Sequence, residues 1–455
     1  MDQKNLFSLT VSETIPLIQS GVISVTQSVN SCIERIAQKE TEVEAWSYFN
    51  PDIVLKNAAI IDDKIKRKEN PGSLYGALVG IKDIFNTIDM PTSMGSEIWK
   101  NFTPGNDARV IHYIREQNGI VAGKTVTAEF AVHQPNQTRN PWNKNHSPGT
   151  SSSGSAAAVA AGMVPMSLGT QTAGSIIRPA SYCGCYGFKP TFGTIPRTGM
   201  LKTTDTLDSI GLFARSANDC RLLFDTIRVK GPDYPLIHKF LNDPHRQHKN
   251  SDKWKVGIIT DQFWTYENTF DYSRKEFGNL VAQLQKMNDV VLEMVSVDED
   301  WAAVHEHHRI VYHKCLSYYF KEEFKNQSQI SPIMTEIISE GNRITPEQYQ
   351  ASLKKQIAFT SKIDALFNEY DVILTLSTAG EAPVYGTAID PPDTCLIWTF
   401  AGTPSLNVPA FTSPNKMPYG LQVISRKYCD YKLFSFVEFL IDKKIIANRS
   451  SSISQ

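Results

Sequence analysis

The sequence predicts an α/β fold in which one sheet draws its strands from both halves of the chain. Strand and helix patterns alternate in YGALVGIKD (75–83), DARVIHYIREQ (107–117) and GIVAGKT (119–125). Strand patterns return late, in SLNVPA (405–410) and YGLQVIS (419–425). This recurrence favours one interleaved domain over a row of independent modules.

Composition excludes several classes of protein. Apolar residues make up 41% and charged residues 20% of the 455, as in ordinary globular proteins. The net charge of -1 provides no overall field to attract nucleic acid or an anionic membrane. The N-terminus lacks a secretory pattern and no long apolar run follows, so we expect a soluble, cytoplasmic protein. The seven cysteines form no CxxC pair, which favours buried thiols over a zinc site.

Changes of pattern divide the chain into four segments. We expect an N-terminal helical segment (1–70), a core (71–228), a variable helical insertion (229–370) and the C-terminal part of the sheet (371–455). The first segment is predicted to be all-helical because Val29, Cys32 and Ile36 recur at helical spacing.

The insertion and the C-terminus carry further local signals. A polar stretch over 230–253 is the best candidate for a linker or an insertion loop. Two long amphipathic helices are predicted over 298–325 and 346–369. The polar tail 448–455 is predicted to be mobile.

The stretch GTQTAGSIIRPAS (169–181) places Ser175 in a glycine-flanked bend after a strand. A serine needs a base to act as a nucleophile. His133 and His146 have no recognisable partners, so the sequence gives little support to a Ser-His-Asp triad. Lys82 ends an apolar strand, and burial there would lower its pKa enough for it to accept a proton. A lysine at a strand end is more often structural, so Lys82 alone is a weak signal.

Two further features could serve such a serine. PGTSSSGSAAAVAAG (148–162) offers three hydroxyl groups before a helix of small residues that can pack closely. A flexible linker is the alternative, and the pattern of a phosphate-binding loop is absent. The backbone N–H groups of Thr172, Ala173, Gly174 and Ser175 could hold an oxyanion.

Three motifs together resemble the amidase signature family of Ser-Ser-Lys hydrolases. They are GIKD (80–83), PGTSSSGSAAAVAAG (148–162) and GTQTAGSIIRPASYCGCYGFKPTFG (169–193). The resemblance extends to GTPSLNVPA (402–410) and covers most of the chain between residues 75 and 422. It implies the fold of that family: a central mixed, mostly parallel, twisted sheet covered by helices on both faces.

The resemblance also implies roles for individual residues. Ser175 takes the place of the nucleophile, Ser151 that of the bridging serine and Lys82 that of the base. The family's reaction needs neither a metal nor a cofactor, and many relatives are homodimers. In the family the bridging serine follows a glycine through a cis peptide bond; Thr150 stands at that place here. We expect the Thr150–Ser151 bond to be cis as well.

The sequence departs from the common family pattern beside the nucleophile. Many members have Asp four residues before the nucleophilic serine and Arg two residues after it, where this chain has Gln171 and Ile177. Its arginine is Arg178, as in the malonamidase-like branch, where that arginine binds a substrate carboxylate. The alternative is that Arg178 pairs with an acidic residue of the protein.

The resulting functional prediction is an amidohydrolase that converts a small amide, with or without a carboxylate, into an acid and ammonia or an amine. One alternative is the glutaminase subunit of a tRNA-dependent amidotransferase. Another is a binding protein with an amidase fold that has lost its activity. Substrate choice is expected to depend on the helix around 305–320 and the loop 378–394. The helix could instead simply pack on the sheet.

Overall fold

One mixed sheet organises the molecule, which a computed structural model describes over residues 3–249, 251–260, 269–386 and 394–448. The eleven strands of this sheet are β1 Trp46–Phe49, β2 Leu78–Lys82, β3 Ile120–Thr125, β4 Met166–Gln171, β5 Tyr186–Lys189, β6 Ser209–Ala214, β7 Trp254–Ile258, β8 Val290–Met294, β9 Val372–Leu376, β10 Ser405–Thr412 and β11 Pro418–Ile424. Their order across the sheet is β1-β3-β2-β4-β6-β5-β10-β11-β9-β7-β8. Strands from both halves of the chain therefore share one sheet.

Fifteen α-helices accompany the sheet in the described part of the chain. They are α1 Val11–Gln19, α2 Val25–Val43, α3 Pro51–Lys66, α4 Arg109–Glu116, α5 Ser153–Ala160, α6 Ile177–Cys183, α7 Ala217–Ile227, α8 Pro235–Leu241, α9 Pro244–Gln247, α10 Asp271–Gln285, α11 Glu299–Tyr319, α12 Pro332–Arg343, α13 Pro346–Leu366, α14 Cys395–Phe400 and α15 Asp430–Asp442. The long helices predicted over 298–325 and 346–369 correspond to α11 and α13. None of the described helices is long and apolar enough to cross a membrane.

The predicted α/β sheet covered by helices is confirmed, but its ladders are less parallel than expected. Between the described strands, four ladders are parallel and six are antiparallel. Strands β5, β6 and β8 were not predicted. The three ladders that β5 and β6 form, with each other, with β4 and with β10, are all antiparallel. The β10–β11 hairpin adds another antiparallel ladder, because a short connection reverses the chain.

The expectation of an all-helical N-terminal segment is wrong at one point. Trp46–Phe49 forms β1, which pairs antiparallel with β3 at one edge of the sheet. The strand is only four residues long and lies between helices α2 and α3, so their helical periodicity hid it.

Residues 229–370, the segment predicted to be an insertion, pack against the rest of the fold. Trp301 of α11 packs edge-on against Trp398 of α14, with ring centroids 5.7 Å apart. In the polar stretch 230–253, short helices α8 and α9 form, and the side chain of Gln247 donates to the carbonyl of Tyr428 at 2.7 Å. Of the tail predicted to be mobile, residues 449–455 lie outside the described residues.

Alternation along β2 decides where its last side chain points. Val79 and Ile81 belong to one apolar core, whereas Leu78 packs with α2, α3 and α5 on the opposite face. Lys82 has the same parity as Leu78, and side chains two residues apart share a face of the sheet. The lysine is therefore directed toward the layer that contains α5.

Candidate active site

The candidate residues converge at one edge of the sheet. Strands β2 and β4 are parallel neighbours, so Lys82 at the end of β2 and the loop after β4 lie side by side. Ser175 belongs to that loop, and Ser151 lies just before α5. Sheet topology thus brings together residues that are up to 93 positions apart in the chain.

Close packing fixes the start of α5 against the sheet. A Cβ atom on Gly154 would lie 2.5 Å from the backbone nitrogen of Val126 and 2.6 Å from the carbonyl oxygen of Ala45, so a side chain there would collide with backbone. At the next residue, the hydroxyl of Ser155 donates to the carbonyl of Leu168 in β4 at 2.8 Å. The close helix packing predicted from the small residues is confirmed.

Lys82 is completely buried among hydroxyl groups. Three oxygens surround its Nζ atom: Ser151 Oγ at 2.9 Å, Ser152 Oγ at 3.0 Å and Thr170 Oγ1 at 3.0 Å. Burial lowers the pKa of Lys82 well below its ordinary value, and the carboxylate of Asp208 only partly opposes this. The site therefore favours a neutral amine, the form that can accept a proton.

The two serines beside Lys82 differ in what they can do with their protons. Ser152 Oγ donates to the carbonyl of Thr170 at 3.1 Å and accepts from the N–H of the same residue at 3.3 Å. The hydroxyl proton of Ser152 is therefore held in the hydrogen bond to Thr170. For Ser151, Lys82 is the one hydrogen-bond partner of the hydroxyl among the described residues. Ser151 can thus give its proton to the lone pair of the neutral amine.

Ser175 contacts a different hydroxyl from the expected one. Its Oγ lies 3.4 Å from Thr150 Oγ1, and no hydrogen bond joins Ser151 to Ser175 within the described part of the chain. The peptide bonds described, including Thr150–Ser151, are all trans, so the expected cis bond is wrong for this structure. The trans form avoids the cost of about 3 to 4 kcal/mol of a cis bond before a residue other than proline. Sequence reasoning did not anticipate the contact of Thr150 with Ser175.

The backbone after β4 presents unused donors. In the described part of the molecule, the N–H groups of Ala173, Gly174 and Ser175 donate to no protein acceptor. Gly174 is buried, and Ala173 and Ser175 are half-buried where they line a cavity. N–H groups placed in this way are the donors that an oxyanion hole requires. The geometry is therefore compatible with the backbone site predicted at 172–175.

Gln171, one of the departures from the family pattern, anchors this loop. Its Oε1 accepts from the N–H groups of Ile176 at 2.8 Å and Ile177 at 3.0 Å. Its Nε2 donates to Thr399 Oγ1 at 2.8 Å. One neutral side chain thus ties the end of β4 to both the start of α6 and helix α14.

A cavity of about 430 Å³ opens in front of Ser175. The residues that line it include Thr150, Thr172, Ser175, Arg178, Tyr312 and Tyr385. Tyr312 comes from the helix around 305–320 and Tyr385 from the loop 378–394. Both regions that were expected to affect substrate choice therefore contribute to the wall of the cavity. Residues 387–393 of that loop lie outside the described residues. Arg178 also donates to Thr150 Oγ1 at 3.3 Å.

The other chemistry-bearing residues form no metal centre in the described ranges. No group of three or more His, Cys, Asp or Glu side chains there could hold a metal ion. The seven cysteines are buried free thiols, as expected.

Comparison with known proteins identifies the family. The family model described as Amidase matches residues 27–434. This chain belongs to the amidase family. Lys82, Ser151 and Ser175 all lie within the matched region, and the chain is a hydrolase that acts on carbon–nitrogen bonds of amides.

Relatives of this amidase-family chain cover nearly all of its length. One subunit of the glutamyl-tRNA(Gln) amidotransferase from Alkaliphilus metalliredigens (strain QYMF) is 32% identical over 468 residues, covering 92% of this chain and 94% of the relative. The corresponding subunit from Thermotoga maritima has a TM-score of 0.76 at 25% identity, covering 94% and 93% of the two chains. Peptide amidase from Stenotrophomonas maltophilia has a TM-score of 0.82 at 24% identity, covering 98% and 99%. The malonamidase-like branch stays a prediction.

Proposed function

We propose that this chain hydrolyses a small amide through an acyl-enzyme formed on Ser175, with Ser151 as proton relay and Lys82 as base. The observation that carries the proposal is the buried Lys82 amine, 2.9 Å from Ser151 Oγ. The products are a carboxylic acid and ammonia or an amine.

The reaction runs in two halves. Ser175 Oγ attacks the amide carbon while its proton passes to Ser151, and Ser151 gives its own proton to neutral Lys82. The oxygen of the tetrahedral intermediate is held by the N–H groups of residues 173–175. The C–N bond then breaks, and the proton returns through Ser151 to the leaving amine. Water attacks the acyl-serine with the same relay as base, and Ser175 regains its proton.

The relay requires one contact beyond those observed, between Ser151 and Ser175. Catalytic hydrogen bonds are often long in the free enzyme and shorten when substrate binds. Thr150 Oγ1 occupies the position next to Ser175 Oγ, at 3.4 Å. We infer that substrate entering the cavity displaces this weak contact and brings Ser151 to the nucleophile.

Arg178 supplies the proposed specificity for an amide that also carries a carboxylate. Its side chain lines the same cavity as Ser175 and contacts Thr150 beside the nucleophile. A guanidinium group can hold a carboxylate by two parallel hydrogen bonds, which would fix the distance to the scissile carbonyl. A cavity of about 430 Å³ is of the size that binds small molecules.

A second candidate is the glutaminase subunit of a tRNA-dependent amidotransferase. What favours it is the name of the full-length relative from Alkaliphilus metalliredigens, which is one subunit of a glutamyl-tRNA(Gln) amidotransferase. On this alternative the chain works in a complex and releases ammonia from glutamine for a partner. The first candidate requires no partner, although a homodimer remains a prediction.

Ammonia release from three primary amides separates the candidates. Succinamate carries a carboxylate, 4-methylpentanamide replaces that carboxylate with an uncharged isopropyl group of similar size, and glutamine is the substrate of the alternative. Ser175→Ala provides the blank. Serine-dependent release that favours succinamate supports the proposal. Release from glutamine alone, together with copurifying partner subunits, supports the alternative. Wild-type rates equal to the blank on succinamate and 4-methylpentanamide would refute the first candidate, and the same result on glutamine with partner subunits present would refute the second.

A further inference from the structure

We propose that His308 and Thr399 are positioning residues that aim the backbone of the oxyanion hole. Neither lies in the segments that resemble the family's motifs around Lys82, Ser151 and Ser175. The inference rests on the proposed function, because it assigns these two side chains a part in the same reaction.

Each side chain holds one carbonyl group of the loop after β4. His308 Nε2 donates to the carbonyl oxygen of Thr172 at 2.8 Å. Thr399 Oγ1 donates to the carbonyl oxygen of Ala173 at 2.7 Å. The next carbonyl, that of Gly174, accepts from the backbone N–H of Arg178 at 2.9 Å. Three successive carbonyls are thus fixed from three different elements of the fold.

Fixing a carbonyl also fixes the N–H group that follows it. In a trans peptide the C=O and the next N–H point in opposite directions. The bonds to Thr172 and Ala173 therefore turn the N–H groups of Ala173 and Gly174 away from α11 and α14. Those two N–H groups have no protein acceptor in the described chain, and Ala173 lines the cavity. Donors held in place before the reaction need no reorganisation as the oxyanion forms.

His308 is suited to hold a carbonyl and not to act as a base. It comes from α11, in the insertion over 229–370, and its side chain is buried. Burial lowers its pKa to about 4, aided by nearby His305 and His313 and opposed by the bond to Thr172. The ring is therefore neutral at pH 7, and the bond to Thr172 fixes the proton on Nε2.

Thr399 completes the arrangement because its own hydroxyl is oriented. Its Oγ1 accepts from Gln171 Nε2 at 2.8 Å, which leaves the hydroxyl proton for an acceptor. Two carbonyls are within reach, that of Ala173 at 2.7 Å and that of Cys395 in its own helix at 3.1 Å. The shorter distance favours the loop. Gln171, Thr399 and Ala173 thereby form a chain of hydrogen bonds that ends at the proposed oxyanion site.

The test measures the rate at which a fluorophosphonate labels Ser175. This probe forms a bond between Ser175 Oγ and phosphorus, expels fluoride and places a phosphoryl oxygen in the oxyanion hole, so no knowledge of the natural substrate is needed. His308→Leu and Thr399→Val each remove one hydrogen bond, whereas His308→Gln and Thr399→Ser keep a donor. His307→Leu, one position away on the half-exposed side of α11, is the control. Melting temperatures identify variants that do not fold.

We expect the probe to label His308→Leu and Thr399→Val about 10 to 100 times more slowly than the wild type. This effect is smaller than the loss of about 10² to 10³ in rate that follows removal of one oxyanion donor. The donor-keeping variants should recover most of the rate. On any amide that is turned over, kcat should fall while KM changes little. Labelling of folded His308→Leu and Thr399→Val as fast as that of the wild type would overturn this inference without affecting the proposed function. So would labelling of His308→Gln and Thr399→Ser as slow as that of the Leu and Val variants. Wild-type protein that is not labelled at Ser175 would overturn the proposed function together with it.

Discussion

The Nζ atom of Lys82 lies 2.9 Å from Ser151 Oγ, and both side chains are almost completely removed from solvent. A charged amine here would have lost its hydration without gaining an ion pair, since no carboxylate lies within ion-pair distance of it among the described residues. This arrangement explains why the pKa of Lys82 is lowered. On the proposed mechanism, it also links the activity and the stability of the protein to the protonation state of one side chain.

Replacing Lys82 by methionine should abolish most of the amidase activity. Methionine keeps most of the side chain's length but lacks the terminal amine and cannot accept the proton of Ser151, and loss of a general base costs about 10² to 10⁴ in rate. For the wild type, a plot of kcat/KM against pH should rise through an apparent pKa well below 10.5, because burial lowers the pKa of Lys82. Lys82→Arg, which stays charged, should be as inactive as Lys82→Met. A Lys82→Met protein with the wild-type profile would remove Lys82 from the mechanism.

The same lowered pKa predicts a dependence of stability on pH. In the unfolded chain Lys82 is protonated below about pH 10.5. In the folded chain Lys82 stays neutral until the pH falls to its lower, folded-state pKa. Between these two pKa values the free energy of unfolding of the wild type decreases as the pH falls, by up to about 1.4 kcal/mol per pH unit. Urea unfolding of the wild type and Lys82→Met between pH 10 and 7 should therefore show that the wild type loses stability relative to Lys82→Met as the pH falls. A difference independent of pH would mean that Lys82 is charged in the folded protein.

Ser151 and Ser152 form a matched pair for testing the relay. Both hydroxyls lie about equally close to Lys82, at 2.9 and 3.0 Å, but the proton of Ser152 is committed to the carbonyl of Thr170. Ser151→Ala should lower kcat by about 10² to 10⁴, as expected for a lost proton-transfer group. Ser152→Ala should chiefly cost stability, about 1 to 3 kcal/mol for a buried hydrogen-bond network.

Steady-state kinetics and chemical unfolding of the two serine variants supply the measurements. If Ser152→Ala is the less active of the two while equally well folded, the relay runs through Ser152 instead.

Arg178→Met tests the carboxylate anchor. Loss of hydrogen bonds to a charged group costs about 1.5 to 3 kcal/mol, which corresponds to a rise in KM for succinamate of about 10- to 100-fold. The KM for 4-methylpentanamide should change little. Arg139→Met is the matched control: Arg139 stacks on Tyr385 of the cavity wall, 3.7 Å from the ring centroid, and its loss changes the net charge equally. Equal effects of Arg178→Met on both amides would assign Arg178 a structural role.

Sequence patterns predicted which residues lie at this edge of the sheet because those patterns are local. Lys82 ends an apolar strand, the serines precede a helix of small residues, and both features were recognisable without tertiary contacts. The trans bond at Thr150 and the contact of its hydroxyl with Ser175 could not be predicted, since they depend on how two distant loops meet.

The same limit applies to long-range hydrogen bonds. His308 meets Thr172 across 136 positions, and Thr399 meets Ala173 across 226. No periodicity or motif marks such pairs. Strands β1, β5, β6 and β8 were missed for a related reason. β1 and β5 are only four residues long, β6 lacks a strong alternation, and β8 is an edge strand whose side chains are mostly exposed.

Gln171→Leu should destabilise the protein and slow the reaction together. The change keeps the size of the side chain but leaves the N–H groups of Ile176 and Ile177 without their acceptor and Thr399 without its donor. Buried groups left unsatisfied cost about 1 to 3 kcal/mol each, and relaxation of the loop should limit the total to about 2 to 4 kcal/mol. Because the loop carries Ser175, we also expect kcat to fall at temperatures where the variant is fully folded.

Gln356→Leu is the control for this prediction. Gln356 is also buried and donates to the carbonyl of Phe400 at 3.0 Å, but it makes no hydrogen bond to the loop after β4 among the described residues. Its replacement should lower the melting temperature while leaving kcat unchanged. Thermal unfolding and kinetics at 25 °C on both variants separate the two effects. If Gln171→Leu proves as active as Gln356→Leu at equal stability, the hydrogen bonds of Gln171 contribute to the fold alone and the loop after β4 keeps its geometry without them.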